Sequence, residues 1–548
     1  MTLILKFERM WPLIIAFLGL LVSACQDVSK ETSSRPSQTA IAEQTVDGAS
    51  LFHQRCAACH SPTDTGGNSR ISQVRKTPEG WFMTVVRMER EGRVVVNRDE
   101  RRAVVKYLSD SQGLAPVETA DFRYILEKRP NIIESPADPE LAVMCGRCHS
   151  NARYSLQRRD ADEWRKLVSF HVVQFPTLEY QTMSAERRWF EEATTEFASR
   201  LGENFPLQST AWDNWRANGM DANPSGQWRV VGYEPGKGRY EGIATISALG
   251  GDNYQAVFAL SYTDGDAWKG RSEALLYSGY EWRGRNERNG AVLREVYALS
   301  EDGSRLSGRW LDIDRDERGG DWTAVRMDAG DSLLAVDPPY LRIGKTREIR
   351  LLGVALEGIV DFGPGVKHEI VSRSATEIVV NATSVAGSSQ GLRQVSVGST
   401  EFQGSFSLYD RVDTIKVIPE NAVARVGGAG GKLLPVPAQF EAVGYNRGAD
   451  GKPNTEDDIR IGVFPATWSH SDFDELATEL EDARFAGQID NNGRFQPAVA
   501  GINPDRYIST NNVGVLAITG TVIDDDRELS GTARLVVTVQ RFINPPIN

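Results

Sequence analysis

A chain of 548 residues exceeds one ordinary domain and predicts three or four. Its formal net charge of -12 argues against nucleic acid as a partner and permits a basic or neutral redox partner. A hydrophobic content of 40% is ordinary for globular protein, and no stretch after the N-terminus is apolar and long enough to span a bilayer.

The first element is an apolar run from Trp11 to Val22, preceded by Lys6 and Arg9. It reads as a signal peptide over residues 1–24, too short and wrongly flanked for a membrane span. Val22-Ser23-Ala24-Cys25 looks like a bacterial lipobox, which implies cleavage after Ala24 and lipidation of Cys25. The alternative is a plain secretory signal. Residues 25–45 are polar, as a flexible tether would be. Both readings place the mature protein in the periplasm, and the first tethers it to the membrane through Cys25.

Two copies of CxxCH follow: Cys56-Ala57-Ala58-Cys59-His60 and Cys145-Gly146-Arg147-Cys148-His149. This spacing lets two thiols reach the two vinyl groups of one haem, with the histidine placed on the iron. The sequence therefore predicts two covalent haem c groups, one on Cys56 and Cys59, the other on Cys145 and Cys148, with His60 and His149 as axial ligands. A zinc site or a pair of disulfides leaves the two trailing histidines unexplained.

Each motif ends a short predicted helix, Gly48 to Arg55 and then Pro139 to Met144. Beyond each lies a helical segment opened by tryptophan, Trp81 to Met88 and Trp164 to His171. Aligned on tryptophan, Met88 falls opposite His171, and thioether and imidazole are both common sixth ligands of haem iron. Met83 competes with Met88 for the first iron, and Met183 with His171 for the second. His53, Met144, His368 and His470 read as packing or surface residues. Asn97 with Glu100 predicts a capping box opening Arg98 to Leu108. Ser184 is expected to cap a helix from Ala185 to Leu201, with Trp189, Phe190, Ala193 and Phe197 as its apolar stripe. Gly113 and Gly202 suit left-handed caps at the ends of these helices. Residues 46–208 thus read as an α-helical dihaem cytochrome c domain built by duplication. Methionine on one iron and a second histidine on the other predict unequal potentials, the bis-histidine haem lower, and leave no open site on either iron.

All-β domains follow. Residues 209–330 alternate and turn at Gly250-Gly251, Asp264-Gly265 and Asp302-Gly303. Strands are expected at Tyr240 to Ser247, Tyr254 to Tyr262 and Ala291 to Leu299, in an antiparallel barrel whose core holds Trp228, Trp268, Trp282, Trp310 and Trp322. Residues 331–412 suit an immunoglobulin-like sandwich with strands at Glu348 to Val354 and Glu377 to Ala382. Residues 413–548 suit a second sandwich with an insertion, with strands at Asp413 to Ile418, Val513 to Ile523 and Thr532 to Phe542. Within that insertion, Asp450 to Asp458 groups oxygen donors but lacks full EF-hand spacing and reads as a solvated turn.

The order of these parts resembles the α subunit of quinohaemoprotein amine dehydrogenase, along essentially the whole exported chain. The match rests on Arg55 to His60, Gly80 to Met88, and Cys145 to His149 with His171. The resemblance implies a heterotrimer with a β-propeller subunit and a small subunit bearing a tryptophan-derived quinone. It implies oxidation of primary amines to aldehyde and ammonia, with electrons leaving through the haems to a soluble copper protein or cytochrome c. This chain would then hold no catalytic residue: no cysteine is spare for a quinone cross-link. A dihaem carrier for another periplasmic dehydrogenase, and a dihaem peroxidase, remain as alternatives.

Overall fold

The computed structural model describes residues 47–540, apart from 65, 131, 182–184, 430–432 and 449. The predicted signal peptide, Cys25, the tether, Met183 and Ser184 lie outside the described residues.

Helix α1 (Gly48–Arg55) starts where the Asp47 carboxylate accepts the N–H groups of Ala49 and Ser50. Strand β1 (Val74–Lys76) leads into α2 (Pro78–Arg90), capped by Thr77 with proline in its first turn. Helix α3 (Arg98–Ser111) opens on the expected box, Asn97 accepting from Glu100 N–H while the Glu100 carboxylate accepts from Asn97 N–H. Short helices α4 (Pro116–Thr119) and α5 (Arg123–Leu126) cross to the second half. There α6 (Pro139–Cys145), α7 (Ala152–Ser155), β2 (Gln157–Arg159) and α8 (Ala161–Gln174) follow in turn. Helices α9 (Trp189–Glu192) and α10 (Ala198–Asn204) flank a π turn at Ala193–Phe197.

That last stretch corrects the single helix expected over Ala185 to Leu201. Regular helix begins only at Trp189, where the Glu179 carboxylate accepts the Phe190 N–H. The wider π turn brings Trp189, Ala193 and Phe197 into one buried cluster, while Phe190 stays exposed. Two glycines also serve a different purpose from the one expected. Gly202 lies inside α10, and neither it nor Gly113 has positive φ. Both permit close approach instead. A Cβ at Gly202 would press on Ala161 of α8, and one at Gly113 would overlap the Ser109 carbonyl and the Ser278 hydroxyl. Gly113→Ala should therefore cost about 1–3 kcal/mol by overpacking. Urea unfolding checks this, and an unchanged midpoint would show that the seam yields freely.

The two halves share one sequence offset, which relates β1 to β2, cap Thr77 to cap Asp160, and buried Trp81 to buried Trp164. β1 and β2 pair antiparallel with Arg75 facing Arg158, and these two are themselves equivalent under the offset. A local two-fold axis therefore passes between them. Glu118 from α4 sits there, 2.8 Å from Arg75 and 3.0 Å from Arg158, with all three side chains buried.

Strands β3 (Gly226–Glu234), β4 (Gly238–Gly250), β5 (Asn253–Tyr262), β6 (Ala267–Tyr277), β7 (Glu281–Arg288), β8 (Ala291–Leu299), β9 (Arg305–Asp312) and β10 (Gly319–Arg326) form a closed antiparallel barrel. Alternation decides its filling: in β5, Tyr254, Ala256, Phe258, Leu260 and Tyr262 all turn inward. All five predicted tryptophans are buried in this core, which leaves an interior cavity of about 10 Å³. Helix α11 (Thr210–Asn218) adds Trp212 and Trp215 to the same core, the Trp215 indole donating to the Ser278 carbonyl. The helical region is pinned to the barrel by polar contacts. Glu79 of α2 pairs with Arg283 of β7, and the Ser278 hydroxyl donates to the Ser109 carbonyl.

The remainder is also β. Strands Ser332–Asp337, Thr346–Val354, Glu377–Ser384 and Val366–Arg373 form one sheet in that order. Its Ile349 and Val380 share a core with Phe406 and Leu408 of a second sheet. Further on, Asn421–Arg425, Arg527–Thr538, Gly514–Asp524 and Thr467–Asp472 make a sheet, again in that order. The strand expected from Thr532 starts earlier, at Arg527, because it is the return arm of a long hairpin whose pairing begins at Asp524. In the 450–458 loop the carboxylates of Asp450, Asp457 and Asp458 accept backbone N–H groups, as a solvated turn would. No helix among the described residues is long and apolar enough to cross a membrane.

Candidate haem-binding region

The first motif winds off α1 in a single turn. Cys56 N–H bonds back to Phe52, and His60 N–H to the Cys56 carbonyl. The second motif begins at the last residue of α6, where Gly146 N–H closes on Ala142. Cys56 packs against the cluster holding Trp81 and Val85, and Cys145 against the one holding Trp164 and Val168. Cys59 and Cys148 are exposed. Each motif thus sets one thiol against the core of its own half and the other at the surface.

All four thiols are free of disulfides. Among the described residues, no group of three or more His, Cys, Asp or Glu is placed to hold a metal ion by itself. Burial pushes the Cys56 thiol up, Cys59 adding to it, and pushes Cys145 up to about 12, Asp138 adding. Both keep their proton at neutral pH.

The three histidines expected on iron share one feature. His60 Nδ1 lies 2.9 Å from the Ser69 carbonyl, His149 Nδ1 2.9 Å from that of Ser150, and His171 Nδ1 2.9 Å from that of Leu167. A carbonyl only accepts, so each Nδ1 carries a proton and Nε2 is the nitrogen left to face a metal. This arrangement is what orients a metal-bound imidazole. His470 is turned the other way, its Nε2 against the Ala483 carbonyl. His53 and His368 pack on Phe52 and Phe362.

Helix geometry separates the two methionines. Met88 lies two turns after Trp81, on the same face of α2. Met83 lies on the opposite side and is 47% exposed. In α8, His171 stands in the same relation to Trp164, and its ring lies 6.1 Å from that of Trp189. Burial holds the His149 imidazole below its usual range, against the Ser150 hydrogen bond, with Arg153 and His171 pushing the same way as burial. Met144 is buried in the core, its carbonyl taken by the Trp189 indole. The residues present therefore fit covalent haem: free thiols, imidazoles with available Nε2, and a thioether on the matching helix face. Sequence reasoning missed the orienting carbonyls of Ser69, Ser150 and Leu167, because a backbone acceptor leaves no mark on residue type.

Comparison with known proteins gives one answer along the chain. Residues 46–212 match the haem-binding family of quinohemoprotein amine dehydrogenase A, alpha subunit. Residues 221–327, 330–410 and 415–547 match domains II, III and IV of the quinohemoprotein amine dehydrogenase alpha subunit. No curated protein matches. Among solved structures, a redesigned β-barrel, mFAP1, bound to DFHBI is 11% identical, with 20% of this chain and 95% of that chain covered and a TM-score of 0.17. Drosophila N-cadherin EC1-4 is 11% identical, with 58% and 93% covered and a TM-score of 0.15.

A helical haem-binding region followed by all-β domains, the first a closed eight-stranded barrel, defines a haem-binding oxidoreductase subunit. The family implies electron transfer within a multi-subunit amine dehydrogenase. The chain belongs to the quinohaemoprotein amine dehydrogenase α-subunit family.

Proposed function

We propose that this chain is the dihaem electron-transfer subunit of a quinohaemoprotein amine dehydrogenase. Cys56 and Cys59 would hold one haem, with His60 and Met88 on its iron. Cys145 and Cys148 would hold the second, with His149 and His171. When bound, haem c supplies one-electron chemistry between ferric and ferrous iron. The protein's part is to fix ligand identity, to set each imidazole through its Nδ1–H, and to pack α2 and α8 so that both sites stay rigid. The observation that carries this reading is the placement of Met88 and His171 at one repeat position, each two turns beyond a buried tryptophan.

The amine chemistry belongs to a tryptophan-derived quinone on a small partner subunit, with a β-propeller subunit completing a heterotrimer. Primary amine is oxidised there to aldehyde and ammonia. His149 and His171 would hold the haem of lower potential and His60 and Met88 that of higher potential, an order that would suit transfer from the quinone subunit to a soluble copper protein or cytochrome c. The two C-terminal β domains are read as immunoglobulin-like sandwiches that dock the other subunits. The complex works in the periplasm, held at the membrane if Cys25 is lipidated.

The chain expressed alone and exported should carry two covalent haems, undergo reversible reduction, and fail to turn over primary amines. Haemochrome quantification and an amine-dependent dye assay on homogeneous protein test this. One haem per chain, or amine-dependent reduction without a partner, would overturn it.

A further inference from the structure

The junction between the two repeats holds buried positive charge. Lys76 ends β1 and Arg159 ends β2, at equivalent repeat positions just before the caps Thr77 and Asp160. They are 7% and 5% exposed. Each lies over the tryptophan of its own repeat, the Lys76 ammonium 5.2 Å from the Trp81 ring centre and the Arg159 guanidinium 5.6 Å from that of Trp164. Arg87, next to Met88, lies 4.9 Å over the ring of Phe170, next to His171. The cations therefore gather where the two ligand-bearing helices meet.

The polypeptide supplies too little negative charge there. Buried Glu163 is already engaged by Arg70 at 3.0 Å and Lys166 at 2.6 Å, and Arg159 approaches it only to 3.9 Å. Among the described residues Lys76 makes no ion pair at contact distance; its amine donates to the Thr84 hydroxyl at 2.8 Å. Arg159 Nε and Trp164 Nε1 are buried with no hydrogen-bond partner. Burial holds the Lys76 amine well below its usual range, with Arg159 and Arg87 pushing the same way and the more distant Glu163 only partly opposing them. Buried cations of this kind are costly unless an anion joins them. The chain as a whole is acidic, at -12, so the local excess of positive charge runs against its general balance. Each haem brings two propionate carboxylates.

We propose that Lys76 and Arg159 are the counter-cations of the haem propionates, one in each repeat. The assignment rests on the dihaem reading above. It explains why a cation is buried at this position in both repeats although the iron ligands of the repeats differ. Neutralising a propionate favours the ferrous state, so the same pair holds both potentials up.

The test uses the exported full-length chain with haem attached. Lys76→Met and Arg159→Met are compared with Lys76→Arg and Arg159→Lys, by the propionate bending band in resonance Raman spectra and by spectroelectrochemical potentials. Each methionine variant should shift the propionate band and lower the potential of one haem, Lys76→Met the methionine-ligated one and Arg159→Met the bis-histidine one. The charge-conserving variants should keep both potentials near wild type. Unchanged bands in both methionine variants overturn the assignment, whether or not a potential moves. If a methionine variant does not accumulate, Lys76→Gln and Arg159→Gln carry the same readouts. Wild-type chain lacking covalent haem would instead sink the dihaem reading, a result seen before any variant is made.

Discussion

Met88→Ala is expected to abolish the near-infrared sulfur-to-iron band of the oxidised protein and to leave the bis-histidine spectrum in place. Met88 shares the Trp81 face of α2, whereas Met83 is 47% exposed on the other side, so Met83→Ala should change neither band nor potential. Axial ligands and their surroundings set haem potentials over about 0.8 V across proteins. On the proposed ligation, removing the thioether withdraws the ligand that favours ferrous iron, so the first potential should fall and delivery to the proposed acceptor should slow. Reduction of the second haem by substrate should be less affected. Loss of the band in Met83→Ala instead would mean that the repeat alignment had assigned the wrong sulfur.

Glu118→Ala should be the most damaging substitution outside the ligands. It leaves Arg75 and Arg158 buried and facing each other with their shared carboxylate gone. Breaking a buried pair from one side costs about 3–5 kcal/mol. Denaturant unfolding of the haem-loaded chain measures it, and a wild-type midpoint would show that the clamp adds nothing. The same contact gives a pH signature. Burial alone would raise the Glu118 carboxyl, but hydrogen bonds from Arg75 and the Arg158 charge outweigh it and hold the group at about 2. Its folded value lies below its unfolded one. The stabilisation is therefore complete above the ordinary glutamate range and is lost as pH falls through that range towards about 2. Glu118→Gln should remove this acid-side loss.

The haem-binding class of this chain was legible in its residue types. Cys-x-x-Cys-His cannot hide, and Trp81 with Trp164 set the register that placed Met88 against His171. The barrel was equally open to reading, because alternation and glycine turns such as Gly250-Gly251 follow from strand geometry. What escaped depends on long-range contact. Nothing about Glu118 marks it as the acid on a two-fold axis until Arg75 and Arg158 are seen paired. Gly113 follows a helix, as a cap does, and Gly202 lies near the end of one, yet each is small because another element crowds it. The break before Trp189 reflects Glu179, ten residues upstream and unrelated to any local pattern.

Copies of a duplicated segment are ordinarily free to drift apart, and the positions of Met88 and His171 have done so. The pairing of β1 with β2 limits how far that drift can go. Arg75 and Arg158 depend on one acid, so a change in either copy alters what the other can tolerate. Selection then acts on the join rather than on each half, and the two units can diverge in what they hold while remaining inseparable as a heritable piece.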